Sequence, residues 1–212
     1  MSKKQKNHSQ TKRPGDFFYN EAKQQGFLAR SVFKLQEIDQ KYRLFSSTGG
    51  KPFFVLDLGC APGSWLQYVL PKLKNGDKIL GIDLNKINIK DDKLVFMQKD
   101  ITEVSNQDFL DAVGSTDGFD IVLSDMAPKT CGIKLVDQER SLELCREASR
   151  VACGALKKNG TLVIKIFQGP DVKKFTDELK QNFNDVKMFK PDSSRTHSFE
   201  IYIVATGRNP IC

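Results

Sequence analysis

Short apolar runs alternate along this chain with segments in which apolar residues recur at helical spacing. The runs predict buried strands, because a strand covered on both faces reads as a nearly continuous apolar stretch. They occupy residues 53–58, 78–84, 93–98, 119–124, 161–167, 185–190 and 199–206. The helical spacing predicts helices at 16–25, 30–44, 64–73, 103–113 and 137–156, and one more, with Pro170 in its first turn, that carries Val172, Phe175 and Leu179.

Regular alternation of strands and helices predicts an α/β fold with a doubly wound, mostly parallel sheet of seven strands. The loop between the last two strands is too short for a parallel crossover, so we expect one antiparallel strand near the C-terminus. The 212 residues suffice for a single such domain. We expect a basic flexible tail at 1–15, a helical extension at 16–50 that ends in a Ser/Thr/Gly linker, and the α/β domain at 51–208.

The positive charge is concentrated at the front of the chain. The net charge is +7, and residues 1–43 hold ten Lys/Arg against four Asp/Glu, whereas the remainder holds 23 against 22. A basic front end on a near-neutral body indicates a polyanionic partner such as nucleic acid. For residues 1–13, a solubilising disordered tail is the alternative.

The sequence carries no sign of a membrane span, an export signal or a metal site. No apolar run approaches the roughly 20 residues of a span, and residues 1–13 hold five basic and no acidic residues. This pattern predicts a cytoplasmic protein, although a processed organellar form would look the same. The five cysteines form no C-x-x-C pair and stand beside only two histidines, which predicts reduced thiols and no metal.

One stretch, Val-Leu-Asp-Leu-Gly-Cys-Ala-Pro-Gly-Ser-Trp at 55–65, joins a strand to a helix through a glycine-bearing turn. Gly59 and Gly63 would let the backbone approach a ligand without a Cβ in the way. The spacing is neither the dinucleotide pattern nor a triphosphate-binding loop, which favours a smaller adenosine ligand, S-adenosylmethionine. The terminal hairpin supports a Rossmann-like class I methyltransferase over a dinucleotide-binding fold. The alternative is an ordinary tight turn.

Four aspartates fall at the predicted ends of four strands, where ligands bind in such sheets. Asp83 is placed to accept the ribose hydroxyls, and Asp100 the adenine amine, while Trp65 would help to wall the pocket. Helix capping is the alternative role of each acid. The four residues are Asp57, Asp83, Asp100 and Asp125.

Lys165 interrupts an otherwise apolar strand, so its ammonium is either paired or reaches water at the strand end. Asp125 lies in Ser-Asp-Met-Ala-Pro at 124–128. Enzymes that methylate a base amine tend to carry an aromatic platform at this place. Its absence favours attack by another atom, such as a ribose hydroxyl.

These motifs resemble the FtsJ-type heat-shock 2′-O-methyltransferases of ribosomal RNA over residues 16–208. The resemblance implies a catalytic set of Lys34, Asp125, Lys165 and Glu200, with S-adenosylmethionine as the methyl donor and S-adenosylhomocysteine as the product. It places the cofactor contacts on Gly63, Trp65, Asp83, Asp100 and Asp125. The motifs that carry it lie at 29–35, 57–65, 124–128, 163–169, 190–195 and 200–205.

The resemblance further implies a uridine ribose in the A loop of large-subunit ribosomal RNA as the target, reached on the ribosomal subunit. Asp-Met-Ala-Pro at 125–128 looks like the ribosomal branch, whereas tRNA-directed relatives tend to carry Asp-Gly-Ala-Pro. A tRNA methyltransferase and a non-catalytic RNA-binding assembly factor remain as alternatives. A nicotinamide dehydrogenase lacks its glycine pattern.

The expected reaction is an in-line displacement in which alignment and the removal of one proton are the main tasks. Lys165 accepts that proton, or it stays charged and steadies the alkoxide while Asp125 accepts it. Arg30, Lys34 and Arg195 are expected to contact RNA phosphates, which predicts salt-sensitive binding. We expect a monomer that needs neither metal nor membrane.

Overall fold

The computed structural model describes residues 14–46, 51–195 and 197–209. Seven strands form one sheet in the order β3-β2-β1-β4-β5-β7-β6. The strands are β1 (Phe54–Leu58), β2 (Lys78–Asp83), β3 (Leu94–Gln98), β4 (Phe119–Ser124), β5 (Leu156–Phe167), β6 (Phe183–Phe189) and β7 (Glu200–Arg208). The helices are α1 (Pro14–Gln24), α2 (Val32–Tyr42), α3 (Ser64–Val69), α4 (Asn106–Val113), α5 (Lys134–Ala155) and α6 (Val172–Asn182).

The direction of the strands confirms the predicted mixed sheet. The strands from β3 to β5 pair in parallel, whereas β7 is antiparallel to both of its neighbours, β5 and β6. The strand order reverses direction at β1, between β2 and β4, and a crevice opens at such a point beyond the carboxyl ends of the strands. The glycine-bearing turn follows β1, so the fold puts it at this crevice.

Several element bounds differ from the sequence prediction for local reasons. α4 begins at Asn106 rather than at 103, because Ser105 and Asp108 form a reciprocal capping box there. Residues 101–103 instead form a 3₁₀ turn, and so does the end of the predicted 64–73 helix, at Leu70–Lys72. Pro170 precedes α6 rather than lying in its first turn, since Asp171 is the N-cap.

The N-terminal bounds also differ. α1 begins at Pro14, so residues 14 and 15, which were assigned to the tail, belong to a helix. Residues 1–13 of the predicted tail, and residues 47–50 of the predicted linker, lie outside the described part of the chain.

Two apolar layers cover the two faces of the sheet. One contains Leu56 and Leu58 with Phe109, Leu142 and Phe175 from α4, α5 and α6. The other joins Val55, Val163 and Tyr202 to side chains from α2 and α3, among them Leu35, Ile38, Trp65 and Leu66. Burial of these side chains is the main favourable contribution to folding. Because α2 packs on the second face, the helix that carries Lys34 shares an apolar layer with Tyr202 and Val204 of β7.

Within the described residues, no helix is long and apolar enough to cross a membrane. The same residues contain no group of three or more His, Cys, Asp or Glu side chains arranged to hold a metal ion. Cys60, Cys131 and Cys145 are free thiols.

Candidate active site

The turn after β1 depends on its glycines because protein atoms crowd it. Gly59 and Gly63 have φ of +74° and +111°, which side chains other than glycine rarely adopt. A Cβ on Gly59 would clash with the Met126 side chain, and one on Gly63 with Ile89. The left-handed backbone alone therefore requires glycine at both positions, and the neighbouring side chains add crowding, before any ligand is considered.

Asp83 stands at the end of β2 with its carboxylate aimed at this turn. Its Oδ2 accepts the Ala61 N–H at 2.9 Å, and its Oδ1 accepts the Asn85 N–H at 2.7 Å. Two backbone donors fix the carboxylate, yet an ionised carboxylate has about four acceptor positions. Asp83 is thus oriented in advance and retains capacity to accept hydroxyl groups.

Asp100 lies two residues beyond β3 and caps the following 3₁₀ turn. Its Oδ1 accepts the Thr102 N–H at 2.9 Å and the Thr102 hydroxyl at 2.8 Å. The backbone hydrogen bond, followed by the hydroxyl, lowers the pKa of this carboxyl. The capping role considered as the alternative is therefore present, and because both bonds fall on Oδ1 it leaves Oδ2 for a ligand.

Asp57 differs from the other three acids because it lies inside β1, whereas Asp83 is the last residue of β2 and Asp100 and Asp125 follow β3 and β4. The side chain is buried, and neither carboxylate oxygen has a hydrogen-bond partner. Burial, and then the negative charges of Asp125 and Asp83, raise the pKa of Asp57 well above its ordinary value. A buried polar group without a partner is costly, so it marks a place where a ligand or water completes the structure.

Trp65 is directed into the protein rather than toward an open cleft. Its indole N–H donates to the Ser31 carbonyl at 2.9 Å, and its ring lies 6.0 Å from that of Tyr202. The side chain is 2% exposed. Its described contacts tie the segment before α2 to α3, and a cofactor contact by Trp65 stays a prediction.

Lys165 forms a buried ion pair rather than reaching water. Its Nζ lies 2.9 Å from Asp125 Oδ1 and also donates to the Asp125 carbonyl. The Tyr202 hydroxyl donates to the same Oδ1 at 2.6 Å. Burial, and then the nearby carboxylates of Asp125 and Glu200, raise the pKa of Tyr202 well above its ordinary value, so the hydroxyl keeps its proton. These three side chains form one connected polar group in an apolar layer.

A second buried pair lies beside the first. Lys34 of α2 bonds Glu200 at the start of β7, and their side chains are 10% and 15% exposed. In the β5–β7 ladder Lys165 is opposite Tyr202, and Phe167 is opposite Glu200. Side chains two residues apart on a strand share a face, so both ion pairs lie on the same face of the sheet. The structure thus brings together all four residues of the catalytic set.

The two remaining predicted RNA contacts lie around the loop that joins β6 to β7. Arg30 donates to the Ser193 carbonyl. Burial, and then the positive charge of Arg195, lower the pKa of Arg30. Glu37 accepts the N–H groups of Asp192 and Ser193 at 2.6 and 2.9 Å. This clamp holds the loop on α2.

Sequence reasoning missed Tyr202 and Glu37. Tyr202 follows Glu200 by two residues in a β-type run, so strand alternation would have placed both on one face. Glu37 gives no such signal, because its partners are backbone N–H groups 155 and 156 residues away.

Comparison with known proteins places this arrangement in a family. The model of FtsJ-like methyltransferases matches residues 27–208. Ribosomal RNA large subunit methyltransferase E of Bdellovibrio bacteriovorus is 45% identical over 199 residues, covering 93% of this chain and 99% of that protein. The protein of that name from Nitratidesulfovibrio vulgaris (strain DP4) is 44% identical, covering 91% and 92%. A crystal structure described as a ribosomal RNA methyltransferase from Plasmodium falciparum matches with a TM-score of 0.74 and 29% identity, covering 86% of this chain and 98% of that one. The chain belongs to the FtsJ-like methyltransferase family.

Proposed function

We propose that this protein methylates the 2′-hydroxyl of a uridine ribose in the A loop of large-subunit ribosomal RNA, acting on the ribosomal subunit. The observation that carries the proposal is the pair of buried ion pairs, Lys165–Asp125 and Lys34–Glu200, on one face of the sheet. Placing two lysines in an apolar layer is costly unless their charges are used or compensated. The two lysines are compensated by two carboxylates, which are hydrogen-bond acceptors beside hydrogen-bond donors. These groups lie together on one face, an arrangement suited to holding a ribose hydroxyl while it loses its proton.

Methyltransferases of this kind generally take the methyl group from S-adenosylmethionine, which supplies an electrophilic methyl group when bound. The residues after β1, β2 and β3 fit such a ligand. Asp83 would accept the ribose hydroxyls, Asp100 the adenine amine, and the 59–63 turn would cover the remainder. The unpartnered oxygens of Asp57 beneath that turn support a ligand at this place.

The hydrogen bonds around Lys165 favour a charged lysine that orients the ribose hydroxyl. Its Nζ donates to both Oδ1 and the carbonyl of Asp125. An ammonium has three donors, so one is left for the ribose oxygen. In this arrangement Lys165 steadies the developing alkoxide, and Asp125 accepts the proton. Tyr202 keeps Asp125 in place through its hydroxyl.

The choice of ribosomal RNA over tRNA is supported by the relatives named above and by the Asp-Met-Ala-Pro motif at 125–128. Arg30, which bonds the loop before β7, and Arg195 within that loop are suited to RNA phosphates. Lys34 is mostly buried against Glu200, so we assign it to the reacting ribose rather than to a phosphate. A ribosomal substrate places the enzyme where ribosomes are, in the cytoplasm or, for an organellar form, in the organelle, and we propose that it acts as a monomer.

The test uses radiolabelled S-adenosylmethionine with unmethylated large ribosomal subunits, bare large-subunit RNA and bulk tRNA in parallel. Label on the subunit that resists alkali is the expected result, since 2′-O-methylation blocks attack on the adjacent phosphodiester. Alkali-resistant label on tRNA alone would keep the chemistry and overturn the substrate. No label on any RNA, with the methyl donor still bound, would favour a non-catalytic assembly factor.

A further inference from the structure

Phe199 is an aromatic ring held at the edge of the catalytic group. It directly precedes Glu200, and its side chain is 41% exposed. Its carbonyl accepts the Gln168 N–H at 2.7 Å, which fixes the backbone. Its ring meets that of Phe167 edge to face, with centroids 6.0 Å apart and planes at 82°. The ring is therefore fixed on one side and open to solvent on another.

Apolar side chains at the start of α5 extend this exposed surface. Ile133 and Leu135 are 61% and 69% exposed. The Lys134 ammonium between them lies 5.9 Å from the centre of the Phe199 ring. Leu135 and Phe167 also line one cavity of about 130 Å³. Large apolar side chains exposed close together in the chain can mark a binding surface, and these lie next to an aromatic ring with a cation beside it.

The patch, which comprises Phe199 and the exposed side chains at the start of α5, is close along the chain to residues of both buried ion pairs. Phe167, which supports Phe199, lies two residues after Lys165, a step of about 7 Å along a strand. Glu200, the residue after Phe199, forms the second ion pair with Lys34. The segment after Asp125 contains no aromatic side chain that could receive a base, as Met126, Ala127 and Pro128 follow it. The fold supplies an aromatic ring from the segment before β7 instead.

We propose that Phe199 is the platform on which the base of the methylated nucleotide stacks, with Lys134 against an adjacent phosphate. The inference rests on the proposed function and extends it by naming where the base goes. Every base has a π face, so an aromatic ring accepts a base without reading its hydrogen bonds. Stacking there would hold the ribose against Lys165, and loss of the ring would act on RNA rather than on the methyl donor.

The test compares Phe199→Ala and Phe199→Trp with a matched control, Met188→Ala. Met188 is 57% exposed on β6, outside the site. Each protein methylates two RNAs: the unmodified target, and a version in which the base of the labelled nucleotide is removed and the ribose kept. Phe199→Ala should lower kcat/KM for the intact RNA about 5- to 100-fold, while Phe199→Trp retains most of it. Affinity for S-adenosylmethionine should stay unchanged in all variants.

The decisive measurement combines both changes, the Phe199→Ala variant and the RNA that lacks the base. If the ring acts through the base, removing the base should lower wild-type kcat/KM by a similar factor and should abolish the difference between wild type and Phe199→Ala. If the two changes lower kcat/KM independently, so that their factors multiply, the proposal that Phe199 stacks on the base is overturned. The methyltransferase function would still stand. A loss seen on whole subunits but not on bare RNA would also overturn it, since the patch would then bind a protein. Failure of the unaltered enzyme to methylate either whole large subunits or bare RNA would overturn the proposed function itself.

Discussion

Acids on the two sides of the cleft are held by different partners. Asp83 and Asp100, after β2 and β3, accept backbone N–H groups from residues close to them or to the 59–63 turn. Asp125 and Glu200, beside β5, bind lysines that are remote in sequence. Neither Asp83 nor Asp100 forms an ion pair within the described part of the chain.

Under the proposed function, this difference separates the acids that would bind the methyl donor from those that would take part in the reaction. Backbone amides orient a carboxylate without neutralising it, so the first pair of acids keeps its charge for a positively charged or hydroxyl-rich ligand. A lysine neutralises its partner and allows it to be buried, which creates the low-dielectric surroundings that strengthen interactions with a reacting group. Variants on the two sides should accordingly fail in different measurements.

The largest expected effect is that of Lys165→Ala. We expect kcat to fall about 10²- to 10⁴-fold because the orienting ammonium is lost, while the Kd for S-adenosylmethionine is unchanged. Single-turnover kinetics and calorimetry measure the two quantities. Lys157→Ala is the control, since Lys157 also lies on β5 in an ion pair, with Asp120 at 2.7 Å, but away from the site. Near-normal kcat in Lys165→Ala would remove this residue from the chemistry.

On the other side of the cleft, Asp83→Ala should raise the Kd for S-adenosylmethionine about 10- to 100-fold, because hydrogen bonds to a charged acceptor are lost. At saturating methyl donor, kcat should stay within a few-fold of wild type. Asp177→Ala, on an exposed surface pair, is the control. A fall in kcat at saturation with normal affinity would erase the division between the two sides.

Glu37→Gln tests whether the loop before β7 needs its clamp. The two N–H groups bond different oxygens of Glu37, and the amide replaces one of these oxygens by an NH₂ donor, so in the present geometry the N–H of Asp192 or Ser193 would face a donor. We expect KM for RNA to rise a few-fold to about 10-fold, with unchanged affinity for the methyl donor. Gln40→Ala, at an exposed position of the same helix, should change neither. An effect on methyl-donor affinity alone would contradict a role in RNA positioning.

Asp57 has neither amide donors nor a lysine, and its expected effect is the smallest. Its raised pKa in the folded state means that its contribution to stability is fully present below the unfolded pKa of about 3.9 and is lost as pH rises through the folded pKa. Asp57→Asn removes that titration. Thermal unfolding of the two proteins is measured from pH 4 to 9. The Tm of Asp57→Asn should rise relative to that of wild type by a few degrees as pH increases. Parallel curves would mean that Asp57 does not titrate in this range.

Much of the fold could be predicted because it depends on local pattern. Apolar runs located every strand to within a few residues, apart from the early start of β5 at Leu156. Capping by Ser105 shifted α4, since a side chain that accepts a backbone N–H ends or starts a helix more sharply than apolar spacing does.

The site could be predicted only in part. Lys165 stood out as a charge in an apolar run, but its pairing with Asp125 depends on strands 40 residues apart in sequence. Tyr202 and Asp125 are 77 residues apart, and only the sheet register joins them. Lys34 and Glu200 came from the family resemblance, because nothing in the local sequence around either residue indicates the other.

The position of β7 in the sheet bears on when the enzyme becomes active during its own synthesis. β7 is inserted between β5 and β6, although it follows both in the chain. A nascent chain that ends before Glu200 therefore has six strands with the edges of β5 and β6 unpaired, and unpaired edges invite association with other chains. Such a chain also lacks the partner of Lys34 and the hydroxyl that steadies Asp125. Completion of the sheet, the Lys34–Glu200 ion pair and the Tyr202–Asp125 hydrogen bond thus form in one event, late in translation, and we expect a chain truncated before Glu200 to lack methyltransferase activity.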